Sequence, residues 1–174
     1  MKKVYILLIR SNTILSQLIK FTTKAEYTHA SISLSEDLFP FYSFGRKFTY
    51  SVIPAGFKKE SLDSGFLKYN KKIPYALYSI DVTDDQYLLA QEYINNIVHS
   101  KKRHGFNSLG LFSCKLGIPI KRKNRMFCSE FVASVLNYCG VGKFKNPTLV
   151  QPIQLLNIDG INLIQKGKIE DFAM

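Results

Sequence analysis

The sequence predicts one α+β domain, an antiparallel sheet packed against helices, spanning residues 1–174. Three observations predict it. Short runs rich in β-branched and aromatic residues, separated by turn signals, mark strands along the chain. One central stretch repeats its apolar residues at helical spacing and opens on a helix cap. No internal repeat, low-complexity tract or linker divides the chain, and 174 residues can bury roughly 70% of the surface exposed when unfolded.

The elements follow in order. Val4-Tyr5-Ile6-Leu7-Leu8-Ile9 reads as a buried strand. Ser11, Asn12 and Thr13 offer N-caps to a short helix whose Ile14, Leu15, Leu18 and Ile19 form one apolar stripe. Thr28 to Leu34 is a half-exposed strand, because its second half alternates polar and apolar residues. Ser35-Glu36-Asp37 makes a turn, and Phe39 to Phe44 returns as a second strand with Pro40 at its edge or bulge. Tyr50 to Ile53 and Tyr75 to Val82 are further strands, with a Lys- and Gly-rich loop between them. Thr83-Asp84-Asp85-Gln86 is a capping box, and Tyr87, Ala90, Tyr93, Ile94, Ile97 and Val98 continue at helical spacing. Ser108 to Leu116 is a short helix closed by Gly117 and Pro119. In the segment from Met126 to Gly140, Phe131, Val132, Val135, Leu136 and Cys139 make an apolar stripe that Gly140 stops. Leu149 to Asn157 reads as a short helix begun near Pro152, and Ile161 to Gln165 as a last strand.

Composition removes several classes. A chain that is 46% hydrophobic and 21% charged is a globular mixture, which excludes disorder as the main reading. The run Val4 to Ile9 is far below the roughly 20 residues of a spanning helix and too short for a secretory apolar core. Three cysteines without a C-x-x-C pair support neither a disulfide framework nor a zinc knuckle. The expected home is therefore cytoplasmic, at most peripheral to a membrane, with no metal and no cofactor. The net charge of +11 favours an anionic partner. Its placement is uneven: no acidic residue lies between Glu92 and Glu130, where Lys101, Lys102, Arg103, Lys115, Lys121, Arg122, Lys123 and Arg125 all fall. A solvated, solubilising face is the plain alternative.

Cys128 stands in the first turn of a predicted helix, where free backbone N–H groups and the positive dipole end stabilise a thiolate. A nucleophilic cysteine also needs a base. His29 sits in a strand with polar neighbours Thr28 and Ser31. On these residue types alone the pair is either nucleophile and base or a satisfied surface histidine and a small buried cysteine. Cys114 and Cys139 lie on apolar faces and read as core thiols. His99 and His104 lack the spacing of metal ligands. Asn107 is either a donor pointing into a cleft or part of an ordinary turn.

The string Tyr27-Thr28-His29-Ala30-Ser31-Ile32-Ser33-Leu34, then Tyr42-Ser43-Phe44-Gly45-Arg46, and much later Phe127-Cys128-Ser129-Glu130-Phe131-Val132, resembles the circularly permuted papain-like hydrolases of the NlpC superfamily. Within it the likeness is to the YiiX-like group, whose relatives include lecithin:retinol acyltransferase. In that family a histidine-bearing strand comes first and the cysteine helix late, as here, and Ile6 to Thr23 looks like its entry segment. The resemblance spans most of residues 4 to 157. It implies a permuted papain-like fold, with Cys128 as nucleophile and His29 as the base that takes and returns its proton. A third group should orient the imidazole, and here the sequence departs from the pattern. If the hairpin turns at Glu36 and Asp37, His29 lies opposite Ser43 or Phe44, and Ser43 is the polar candidate at that register apart from Tyr42. Glu36 is the stronger acceptor but sits in the turn, roughly 20 Å along the strand.

The leading expectation is a thiol hydrolase of amidase or peptidase type that forms an acyl-enzyme at Cys128, on a small or lipid-like acyl substrate. The runner-up is an acyltransferase or lipid esterase of the same fold. The alternative from another class is a catalytically idle basic module that docks on anionic lipid or nucleic acid. Nucleic acid is the less favoured partner, because Phe106, Phe112 and Phe127 in the basic stretch belong to no recognisable motif. Contact with an anionic membrane fits the charge, and Ile14, Leu15, Leu18 and Ile19 are expected to line an apolar groove.

Overall fold

The computed structural model describes residues 1–10, 26–46 and 55–172. The expected helix with Ile14, Leu15, Leu18 and Ile19 and the strand expected at Tyr50 to Ile53 lie outside the described residues.

One sheet organises the molecule. Its strands are β1 (Lys2–Ile9), β2 (His29–Ser33), β3 (Phe41–Arg46), β4 (Ala55–Glu60), β5 (Pro74–Val82), β6 (Gly105–Phe106), β7 (Arg125–Met126) and β8 (Ile161–Lys168), in spatial order β7-β6-β4-β3-β2-β1-β5-β8. Every neighbouring pair is antiparallel except β6 and β7. Four α-helices accompany it among the described residues: α1 (Gly65–Tyr69), α2 (Asp84–Val98), α3 (Ser108–Lys115) and α4 (Cys128–Tyr138). The fold class is therefore α+β.

β1 is central and buried on both faces, which is why its sequence is continuously apolar rather than alternating. Val4, Ile6 and Leu8 enter the larger core with residues of α2 and α4, while Tyr5, Leu7 and Ile9 join Phe41, Leu67 and Tyr75 on the other face. Each such aliphatic side chain withdrawn from water contributes about 1.5–3 kcal/mol. The capping box of α2 is present in full: the Thr83 hydroxyl accepts from Gln86 N–H, and the Gln86 side chain accepts from Thr83 N–H. α4 is held to the sheet by Phe131, whose ring meets those of Phe44, Phe57 and Tyr93 at centroid distances of 5.3, 5.7 and 6.4 Å. Aromatic pairs of this kind add about 0.5–1.5 kcal/mol beyond area burial and fix orientation. Gly140, at φ +75°, ends the helix as its sequence position predicts.

The structure differs from the sequence reading in three places. The second strand of the hairpin is Phe41–Arg46 rather than Phe39 to Phe44, because the chain spends residues 34–40 on a longer turn with Leu38 in the left-handed region at φ +65°. The Lys- and Gly-rich segment contains a strand, β4, and a short helix, α1. The segment Leu149 to Asn157 holds a 3-10 turn, Pro152–Leu156, and follows another, Pro147–Leu149, each with proline at its first turn. Gly56 and Gly105 pair where β4 meets β6, and a Cβ at Gly56 would collide with the His104 carbonyl oxygen. Bare backbone at that point lets the segment following α2 lie against the sheet. Among the described residues no helix is long and apolar enough to cross a membrane.

Candidate functional site

Two elements from opposite ends of the chain meet at Cys128. It is the first residue of α4, with Phe127 at the N-cap and the Glu130 carboxylate accepting from Phe127 N–H at 3.1 Å, which secures the helix start. The Ser129 hydroxyl donates to the Val150 carbonyl at 2.7 Å and ties the same turn to the 3-10 segment behind it. His29 is the first residue of β2, and it lies close enough to Cys128 for each group to shift the proton affinity of the other. The backbone N–H groups of Ala30 and Ser129 also favour the thiolate form. Pairing between β2 and β3 is confined to Ile32 and Tyr42, which leaves the His29 end of β2 free of that ladder and able to face the helix start.

The other side of the imidazole is held by Glu60, the last residue of β4. His29 Nε2 lies 2.9 Å from Glu60 Oε1, and Lys58 Nζ donates to the same oxygen at 2.7 Å. The three groups are enclosed, with side-chain exposures of 14% for His29, 6% for Glu60 and 18% for Lys58. Gly45 makes room for them, since a Cβ there would stand 3.2 Å from Lys58 Cε and 3.5 Å from His29 Cε1.

Electrostatics follow from this chain of contacts. Burial pushes the Cys128 thiol up, but the hydrogen bond and charge of His29 with the two backbone N–H groups outweigh it, and the thiol is held below its ordinary value. Burial pulls His29 down, and the Glu60 charge with the bonds to Cys128 and Glu60 reverses that, raising it to about 9. Burial raises Glu60, and the Lys58 and His29 cations overcome this to hold its carboxyl well below the usual carboxylate range. These contacts favour the ion pair of Cys128 thiolate and His29 imidazolium, backed by the Glu60 carboxylate.

This arrangement makes a pH signature. His29, raised to about 9, holds its proton more tightly when folded, while Cys128, held below its ordinary value, gives its proton up more readily, so the two contributions to the pH dependence of stability oppose each other. Cys128→Ala removes one side of the balance. His29 beside Glu60 remains raised, so the folded variant binds one more proton than the unfolded one. Its stability is full below 6.5 and falls as pH rises through the raised value. Denaturant unfolding from about pH 6 to about pH 9 reads the difference, and equal slopes for the two proteins would contradict the ion pair.

The sequence-derived third residue is corrected. Because Ile32 pairs with Tyr42, Ser43 lies level with Ser31, two residues along from His29. Its hydroxyl is buried and has no hydrogen-bond partner among the described residues. Tyr42 stacks on Phe57 on the opposite face, and Glu36 stays in the turn. Asn107 is not a cleft donor: it caps α3, accepting from Gly110 N–H at 2.9 Å and donating to the Ile120 carbonyl at 3.0 Å. Cys139 is buried in the larger core. Cys114 differs from a plain core thiol in lining a pocket together with Cys128, Tyr27, Leu111, Phe127, Val150, Pro152 and Ile153. Burial pushes its thiol up to about 11. Glu60 and Lys58 escaped the sequence reading. The signal available was that Glu60 is the one acid between Asp37 and Asp63.

No protein-family model and no curated protein matches the sequence. Among solved structures, the fold matches the crystal structure of the metalloprotein YiiX from Escherichia coli O157:H7, with 16% identity and a TM-score of 0.59 over 95% of this chain and 97% of that one. The likeness establishes a YiiX-like fold.

Proposed function

We propose that the protein is a cysteine hydrolase or acyltransferase of the permuted papain-like kind, with Cys128 as nucleophile, His29 as acid and base, and Glu60 in the orienting place. The observation that carries the reading is the His29 imidazole held on Glu60 at 2.9 Å and coupled electrostatically to Cys128, which stands at a helix start. The thiolate attacks an acyl carbonyl carbon, forming a C–S bond while the oxygen becomes an oxyanion near the first-turn N–H groups. The bond to the leaving group breaks as His29 gives that group its proton. Water, or another acyl acceptor, then loses a proton to His29 and attacks the acyl-enzyme, releasing the sulfur as thiolate. The small pocket beside Cys128 is lined mainly by apolar side chains.

The YiiX structure is described as a metalloprotein. Among the described residues no group of three or more side chains could ligate a metal, and the His29 ring and the Lys58 ammonium already meet Glu60 Oε1.

The test is alkylation of the whole protein with iodoacetamide, with the modified residue mapped by mass spectrometry. Cys128 is expected to react at neutral pH ahead of Cys114 and Cys139, because it alone is held below its ordinary value. Reaction first at Cys114 would overturn the assignment.

A further inference from the structure

The exposed surface beside the Cys128 pocket carries a feature the thiol chemistry does not use. On α3, Gly110, Ser113 and Cys114 face inward, while Leu109, Phe112 and Leu116 follow at i, i+3 and i+7 and are 53%, 44% and 75% exposed. The chain then turns at Gly117, and Ile118 N–H bonds back to the Ser113 carbonyl, which sets Ile118, 51% exposed, against the helix end. An isolated exposed leucine is ordinary, but four large apolar side chains gathered on one short helix and its return are not.

The segments that flank this stripe in the sequence are basic. Gly105 N–H bonds the Asn124 carbonyl and β6 pairs with β7, so the exposed Lys101, Lys102 and Arg103 lie in the loop leading to the same corner as the exposed Lys121, Arg122 and Lys123. The Asn107 side chain binds the Ile120 carbonyl and closes the corner onto the start of α3. No acid interrupts the sequence between Glu92 and Glu130, and Glu130 itself is buried.

We infer that α3 and its return loop dock on an anionic bilayer surface, with Leu109, Phe112, Leu116 and Ile118 entering the headgroup boundary and the flanking lysines and arginines meeting lipid phosphates. Charge complementarity selects the occupant. An apolar stripe flanked by lysine and arginine is what an interfacial helix presents to anionic lipid. A nucleic-acid surface is instead polar and uses aromatic platforms, and three of these four side chains are aliphatic. The same helix supplies Leu111 and Cys114 to the pocket at Cys128, so docking holds the pocket within one helix diameter, roughly 10 Å, of the membrane. That consequence rests on the proposed enzyme function; the docking itself does not.

The experiment is flotation of the full chain with vesicles of phosphatidylcholine alone and of phosphatidylcholine mixed with phosphatidylglycerol, at low and high salt. The variants are Leu109→Ser with Leu116→Ser, and Lys121→Glu with Lys123→Glu. Binding to the phosphatidylglycerol vesicles is expected, weakened by salt and reduced at least about tenfold by each pair of substitutions, with the rate of Cys128 alkylation in solution unchanged. Thermal unfolding confirms that both variants fold. Equal binding to the two vesicle types, retention of binding by the leucine variant, no binding at all, or binding to an oligonucleotide that vesicles do not displace would each overturn the inference. A protein that docks without a reactive Cys128 would retire the enzyme reading and leave the surface standing.

Discussion

Glu60→Ala is expected to destabilise the fold by about 3–5 kcal/mol and to slow alkylation of Cys128 at neutral pH by roughly ten- to a hundredfold. The first effect arises because Glu60 is 7% exposed and its Oε1 stands between two cations, the Lys58 ammonium at 2.7 Å and the His29 ring at 2.9 Å. Removing the carboxylate leaves those cations facing each other away from water, and His29 discharges its proton to relieve them. The second effect follows from the first, since a neutral imidazole no longer holds the thiolate. Glu60→Gln separates the two. It keeps the volume and an acceptor oxygen but loses the charge, so it should cost less stability while still moving the pH midpoint of alkylation upward. Urea unfolding and the pH dependence of the iodoacetamide rate measure them independently. An unmoved midpoint in Glu60→Gln would show that Glu60 positions nothing at Cys128.

Which parts of this site could be read in the sequence depends on the range of the interactions that specify them. Cys128 was legible because a helix start is a local event: the stripe of Phe131, Val132, Val135 and Leu136 and the stop at Gly140 fix the helix from within a dozen residues. His29 was legible because polar residues alternate through β2. Its orienting partner was not. The register between β2 and β3 depends on a seven-residue connection in which Leu38 adopts φ +65°, and a slip of the pairing moves Ser43 away from the imidazole. β4, with the sequence Ala-Gly-Phe-Lys-Lys-Glu, lacks β-branched residues, so its strand character comes from pairing with β3 rather than from propensity. Glu60, the acid that meets the imidazole, therefore lies in a segment that reads as a loop. β6 and β7 are two residues each and are fixed by contacts far apart in the chain, such as Gly105 with Arg125. The central strand β1 and the α2 capping box, by contrast, carry their own specification.

Cys128→Ser is expected to lower turnover of an activated acyl ester, such as a p-nitrophenyl ester of a fatty acid, by at least about a thousandfold. The substitution changes one atom at a position that is 5% exposed. What it removes is acidity: a hydroxyl in the same place, with the same His29 and the same Ala30 and Ser129 N–H groups, does not ionise near neutral pH, so the imidazolium loses the anion that holds its proton in place. The geometry survives, because α4 is fixed by Phe131 against Phe44 and Phe57 and by Ser129 on the Val150 carbonyl rather than by the sulfur. Stability at pH 6 should accordingly lie within about 1 kcal/mol of the parent, where the unfolded histidine is still largely protonated. An acyl adduct trapped by acid quench should appear on the Cys128 peptide of the parent protein alone. Undiminished turnover in the variant, or an adduct that moves to Cys114 on the far wall of the pocket, would assign the chemistry to the second thiol and leave the Cys128–His29–Glu60 chain as a buried structural network.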